Sequence, residues 1–314
     1  MTRSTTRRKA AFAGALLAAV TLAVTACSSG STNLPGSGSS STSSADAVFS
    51  GAPVASADLI ISGSTMEKIK KRGKLVVAEA LDAPLLSQQD PTNPDSVTGF
   101  DADLAKLLAI YILGKPNVEI VPPASETREA MLQNGTVDVV FNTYTITEER
   151  AQQVDFAGPY FESGLAVAVK SDNKDITSSK DLDGKTVIVG ANTPAVTEVP
   201  KIAPTATVTA FATDPAAVQA LIQGRGDAYV QDYTLLASDA ASEKQIKVVG
   251  QPFTKEPYGI GLKHGDSDFK SFVNDWLTKI QKGGQWGQAW KTTLGTVTDS
   301  AIPTPPKIGS VPGS

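Results

Sequence analysis

Asn142-Thr143-Tyr144-Thr145-Ile146-Thr147-Glu148-Glu149-Arg150 is the stretch whose residue types could do chemistry. It follows an apolar, β-like run over 137–141. Thr147 suits a helix N-cap, and Glu148 and Glu149 would sit in the first turn, where the helix dipole favours carboxylates. The strand therefore ends in hydroxyl residues, and Arg150 stands one helical turn later. Hydroxyls, free backbone N–H groups and a forked guanidinium together make a carboxylate receptor. The same residues also read as a plain strand-turn-helix corner carrying a surface arginine. Their chemistry alone leaves both readings open.

The elements that must position this stretch alternate along the chain. Leu75–Ala78, Val118–Val121 and 137–141 read as strands, with helices before and between them. Phe100, Leu104, Leu107, Leu108 and Tyr111 fall on one helical face. Asp82, Asp90-Pro91 and Asn93-Pro94-Asp95 mark 82–98 as a loop. The alternation resumes with strands at Thr186–Val189, Val208–Phe211 and Asp227–Val230, and a helix opened by Asp214-Pro215. Strand-helix alternation predicts a parallel α/β sheet. The halves share a local pattern, Asp138–Thr145 lying against Asp227–Thr234. Two related α/β lobes would then present equivalent strand ends, where ligands collect in open α/β sheets. One lobe offers Thr143, Thr145 and Arg150, the other Asp232. An arginine facing an aspartate across a cleft suits a zwitterion.

The ends of the chain carry a different grammar. Arg3, Arg7, Arg8 and Lys9 precede an apolar run, Ala10 to Val24, too short to span a bilayer comfortably. Residues 1–26 are therefore expected to be a signal peptide. Val24-Thr25-Ala26-Cys27 resembles the lipobox of bacterial lipoproteins, in which the cysteine is lipidated and becomes the mature N-terminus. Residues 27–57 are expected to be a disordered Ser/Gly tether with an r.m.s. reach of roughly 30 Å. A disordered tail is expected over 298–314. The net charge is −4, and removing the basic signal leaves about −8. An acidic, exported chain excludes nucleic acid as the natural partner. Cys27 is the single cysteine and His264 the single histidine, so no internal disulfide, metal site or cofactor is expected.

Four linked motifs carry a resemblance: Gly99–Ala105, Thr143–Arg150, Val154–Tyr160 and Tyr258–Lys263. In order and spacing they resemble the polar amino-acid-binding proteins of ATP-driven (ABC) importers, bacterial family 3. Among relatives the chain looks closest to the glutamate-type lipoproteins of Gram-positive bacteria. The resemblance implies an α/β, periplasmic-binding-protein-like (type II) fold of two lobes joined by a two-strand hinge. Lobe 1 would comprise 58–165 and 256–297, and lobe 2 would comprise 166–255. Phe269, Phe272, Val273, Trp276, Leu277 and Ile280 give one helical face for docking the returning chain on lobe 1.

Carried over by resemblance, Arg150 would clamp an α-carboxylate and Thr145 would add a hydroxyl or N–H. Thr143 would offer its carbonyl to the α-ammonium, and Asp232 would pair with that ammonium from lobe 2. Thr193 would donate to the carboxylate from the turn Ala191-Asn192-Thr193-Pro194. Tyr144 would line the pocket or pack beside it. Relatives place an aromatic or basic side chain after the first strand, and this chain has Asp82 there, which would repel an acidic ligand side chain. Glutamine, asparagine, glutamate and aspartate all remain candidates. The implied protein is a lipid-anchored monomer on the outer face of the cytoplasmic membrane that delivers its ligand to a permease. It is not expected to be an enzyme. A tethered sensor for a membrane signalling protein and a dehydratase on the same fold are the rival readings. Export could follow the general or the twin-arginine route.

Overall fold

A computed structural model describes residues 44–297 and 301–314. The expected signal peptide, Cys27 and the tether as far as residue 43 lie outside the described residues. In chain order the strands are β1 (Leu75–Ala78), β2 (Asp82–Ala83), β3 (Ser87–Asp90), β4 (Asn93–Thr98), β5 (Val118–Val121), β6 (Val139–Val140) and β7 (Asp155–Ser163). They continue with β8 (Leu165–Lys170), β9 (Thr186–Gly190), β10 (Thr207–Phe211), β11 (Ala228–Asp232), β12 (Ile246–Val249) and β13 (Glu256–Leu262).

Two five-stranded sheets form, in the orders β5-β1-β6-β13-β7 and β10-β9-β11-β8-β12. In each, the first three strands run parallel, and the rest join antiparallel. The sheets have the same plan, and β6 and β11 hold the same central place. That is why Asp138–Thr145 and Asp227–Thr234 look alike: each runs off the carboxyl end of an equivalent strand. Helices cover both faces, so β1, β8 and β11 are buried nearly throughout; β1 and β8 read as apolar runs rather than alternating ones, while β11 ends in the buried polar residues Gln231 and Asp232. This is the two-lobed, type II periplasmic-binding-protein fold.

The chain crosses between sheets twice, at Gly164 between β7 and β8, and between β12 and β13. The crossings are stitched together: Leu165 N–H donates to Thr254 Oγ1 (2.8 Å) and Phe253 N–H to the Leu165 carbonyl (2.8 Å). A Cβ at Gly164 would lie 2.3 Å from the Thr254 carbonyl oxygen. Gly164→Ala is therefore expected to force the crossings apart at a cost of about 1–3 kcal/mol. Urea unfolding checks this, and a midpoint equal to wild type would contradict the close approach.

The returning helix, Ser267–Gly283, buries all six residues of its apolar face on lobe 1. Trp276 and Trp286 are among the largest fully buried side chains there. Three expectations need correction. The stretch 82–98 is not a plain loop; β2, β3 and β4 form a small antiparallel sheet. Part of the expected tether is folded. A helix spans Ser44–Phe49, Val48 is wholly buried in the lobe 1 core, and Ala55 N–H bonds to the Tyr111 carbonyl (2.8 Å). Val48 and Phe49 are large apolar residues in an otherwise small-residue stretch, so hydrophobic burial anchors that end. The tail over 301–314 lacks helix and strand, yet it is packed. Gly309 N–H donates to the Gly158 carbonyl (2.8 Å), and Ile308 and Val311 rest on apolar clusters of lobe 1.

Candidate functional site

The stretch after β6 is pinned from three sides. Asn142 Oδ1 accepts from Ala80 N–H (3.1 Å), Asp101 Oδ2 accepts from Thr143 N–H (2.9 Å), and Ile146 N–H donates to the Pro257 carbonyl (2.8 Å). Thr143 takes a left-handed φ of 45°. Asp101 in turn accepts from the Tyr160 hydroxyl (2.8 Å). Thr147 caps the short helix Glu148–Ala151, its hydroxyl accepting from Arg150 N–H (3.2 Å). This capping turn fixes the root of Arg150.

Arg150 is buried, 7% exposed. Nη1 donates to the Thr145 carbonyl (2.7 Å), Nη2 to the Asn192 carbonyl of the other lobe (2.6 Å), and Nε lies 3.5 Å from Glu129. A guanidinium has five donors, so two remain for a ligand. Across the cleft, Asp232 caps the helix Tyr233–Ser242. Its Oδ1 accepts from Ser163, Thr234 and Tyr258, while Oδ2 is buried without a protein partner. An unmatched buried carboxylate oxygen is costly unless a ligand satisfies it. Burial pushes the Asp232 carboxyl up to about 6, against the hydroxyls that favour its ionised form.

These groups share a cavity of ≈ 440 Å³ between the lobes. Thr143, Thr145, Arg150, Thr193, Asp232 and Asp82 all line it. Thr193 does so from the turn before the helix Ala195–Ile202, its hydroxyl donating to the Gly190 carbonyl (2.7 Å). Tyr144 does not line it, which corrects its assignment as a ligand contact. Its ring is wholly buried behind the cavity against Phe156, and its hydroxyl donates to Glu129 (2.7 Å). The guanidinium carbons of Arg128 and Arg150 lie 4.4 and 4.9 Å from the ring centroid, so Tyr144 serves as a platform for both. Asp82 is exposed, at the edge of the cavity. It faces Asp214 and Asp239 of lobe 2, whose carboxyls are both pushed upward, chiefly by burial.

Sequence reading missed four residues. Arg128 and Glu256 line the cavity, both almost fully buried. Asp101 holds the site loop, and Asn192 bridges the lobes. Burial pushes the Glu256 carboxyl up to about 7, with the Thr254 hydroxyl (2.9 Å) and Arg150 pulling the other way. Asn192 has a left-handed φ of 53°, and its carbonyl accepts from Arg150 and Arg128, while Nδ2 donates to the Ser125 carbonyl (3.2 Å) and Glu129 (3.4 Å). The only signal for Asn192 in the sequence is its residue type, since Asn tolerates that φ.

Asn192→Gly keeps that φ and removes the side-chain bonds, each worth about 0.5–1.5 kcal/mol net. The ligand-free protein is expected to open, with a larger radius of gyration by solution scattering. An unchanged scattering curve would contradict the latch.

Residues 75–295 match the family described as bacterial extracellular solute-binding proteins, family 3. A glutamine-binding protein of Geobacillus stearothermophilus is 42% identical over 214 residues, covering 67% of this chain and 81% of the relative. The glutamate-binding protein GluB of Corynebacterium glutamicum is 32% identical over 238 residues, covering 72% and 80%. Among solved structures, an ancestral amino-acid-binding protein described as a precursor of cyclohexadienyl dehydratase superposes with a TM-score of 0.67 at 35% identity, covering 74% of this chain and all of that one. The chain belongs to the bacterial extracellular solute-binding proteins, family 3. Among the described residues, no helix is long and apolar enough to cross a membrane.

Proposed function

We propose that this protein is the extracytoplasmic receptor of an ABC importer for a polar amino acid of the glutamate, glutamine, aspartate and asparagine class. The observation that carries the reading is one cavity with the spare donors of Arg150 on lobe 1 and the unmatched Oδ2 of Asp232 on lobe 2. An α-carboxylate meets the first and an α-ammonium the second, and Thr143, Thr145 and Thr193 complete the ring of polar contacts. A ligand touching both lobes favours the closed arrangement by its differential affinity. Relatives named as glutamine- and glutamate-binding support this ligand class.

In this reading Cys27 carries the lipid that holds the protein at the outer face of the cytoplasmic membrane. The folded domain acts as a monomer and presents its ligand to permease subunits. It performs no chemistry. His264 is exposed and pairs with Asp155 (3.2 Å), away from the cavity-lining residues.

A thermal-shift screen of residues 44–314 against the twenty amino acids tests the reading. A ligand at about a thousand times its dissociation constant adds roughly 4 kcal/mol of stability. A set of hits within the polar class is the expected result. No shift with any α-amino acid would overturn it.

The dehydratase reading has one observation in its favour, the likeness to a precursor of cyclohexadienyl dehydratase, itself described as an amino-acid-binding protein. Turnover of a carboxylated cyclohexadiene, followed by ultraviolet absorbance, would move that reading ahead.

A further inference from the structure

The helix that carries Arg150 is four residues long, Glu148–Ala151. A single helical turn does not hold itself, because nucleation fixes several residues for one hydrogen bond. Glu148 and Glu149 are exposed, and Arg150 lines the cavity. Ala151 is left as the apolar anchor of the turn. The chain enters the turn through Ile146, 6% exposed, and leaves it through Val154, which is wholly buried. How firmly the turn is seated therefore depends on what covers Ile146 and Ala151.

That cover is the segment 301–314, which lies beyond the residues 75–295 that match the family. Val311 and Ala151 pack on one apolar cluster, the cluster that holds Ile146 and Val154. At Gly313 the backbone runs so close to the turn that a Cβ would lie 2.7 Å from Ala151 Cβ, 3.4 Å from Ile146 Cγ2 and 3.8 Å from the Thr147 carbonyl oxygen. Gly313 also takes a left-handed φ of 86°, so glycine meets both demands there. Two turns shape the segment: Ser310 N–H donates to the Lys307 carbonyl (3.1 Å), and Ser314 N–H to the Val311 carbonyl (3.1 Å). Gly309 N–H fastens it to β7 through the Gly158 carbonyl (2.8 Å), and Ile308 rests on the lobe 1 core. One part of the segment is thus tied to the sheet, and the next presses on the turn.

The pressure reaches the ligand groups within one or two residues. Ile146 and Ala151 flank Thr147, whose hydroxyl caps the turn by accepting from Arg150 N–H (3.2 Å). Thr145, the neighbour of Ile146, gives its carbonyl to Arg150 Nη1 (2.7 Å). A shift of the turn would move the guanidinium and the carbonyl that aims it together.

We infer that the segment 301–314 is a positioning element of the binding site: Val311 and Gly313 hold the turn 146–151 in the conformation that directs Arg150 at the α-carboxylate. This rests on the amino-acid reading above and deepens it.

The test compares wild type, a chain shortened to residue 300, Val311→Asp and Val311→Ile. Glutamine and glutamate are titrated into each by calorimetry. The shortened chain and Val311→Asp are expected to lose about tenfold or more in affinity, as follows when the turn is competent only one-tenth of the time. Val311→Ile keeps the apolar contact and is expected to bind as wild type does. Backbone hydrogen exchange of the ligand-free proteins is the second readout. Residues 144–152 are expected to exchange at least about tenfold faster in the two weakened chains, by the same population argument, while Leu75–Ala78 and Thr186–Gly190 keep the wild-type rate. Val48→Ala trims a wholly buried side chain of the other segment packed on lobe 1, so it lowers the unfolding temperature without touching the turn. It is expected to leave affinity and the exchange of 144–152 unchanged. Affinity within threefold of wild type in both weakened chains, unchanged exchange over 144–152, or an equal loss of affinity in Val48→Ala would overturn the inference and leave the amino-acid reading standing. If wild type binds neither amino acid, that reading's ligand class falls, and the exchange comparison alone decides the role of the segment. Should the shortened chain not fold, Val311→Asp carries the same comparison.

Discussion

Arg150→Met is expected to abolish amino-acid binding at micromolar to sub-millimolar ligand while leaving a folded protein. Truncating one partner of a buried, hydrogen-bonded charge pair costs about 2–5 kcal/mol, or roughly thirty- to several-thousandfold in affinity. The upper part of that range applies here, because Arg150 is 7% exposed and lines the cavity between the lobes. Methionine fills much of the arginine stem, so the Tyr144 platform keeps its cover. Glu129 loses one neighbour but retains the Tyr144 hydroxyl and the Asn192 amide. Isothermal titration measures the affinity and circular dichroism the fold. Affinity within threefold of wild type would remove Arg150 from the carboxylate clamp.

Asp232→Asn is the second large effect, and it carries a pH signature. The substitution keeps the shape but replaces the anion facing the α-ammonium, and a loss of about a hundredfold or more is expected. In wild type the Asp232 carboxyl lies at about 6, above its ordinary 3.8. The folded, ligand-free state therefore holds this proton more tightly than the unfolded chain between about pH 4 and 6. Its contribution makes ligand-free stability fall as pH rises through that window. Ligand binding runs the other way, because the ammonium demands the carboxylate, so affinity rises as pH passes about 6. Asp101, at about 6, and Glu256, at about 7, face the same carboxylate and titrate beside it. The expected result is a shallower pH dependence of affinity in Asp232→Asn, with the part due to Asp101 and Glu256 remaining. A variant with the same slope as wild type would show that Asp232 does not meet the ammonium.

Local rules were enough for much of this molecule. Thr147 announces a helix start, and the helix is there, though only four residues long. The face from Phe269 to Ile280 is buried as its spacing predicts. The parallel in residues between Asp138–Thr145 and Asp227–Thr234 reflects equivalent places in two sheets of one plan. Hydrophobic period and capping chemistry act over a few residues, so a single chain displays them.

Other features required the fold. Thr143 and Tyr144 are neighbours, yet one lines the cavity and the other is buried behind it. The divergence comes from a left-handed φ at Thr143 and from pairing of 144–146 with 257–259, more than a hundred residues away. Arg128 reads in sequence as an ordinary residue near a helix start, since nothing local distinguishes a solvated guanidinium from one enclosed by another lobe. Val48 looks like part of a small-residue tether until the lobe 1 core is there to receive it. The sequence alone determined which elements form and which residues are able to bind a zwitterion. The tertiary structure decided which of those side chains share a cavity and which charge stays unmatched, because burial is a property of surfaces that meet only after distant segments have packed.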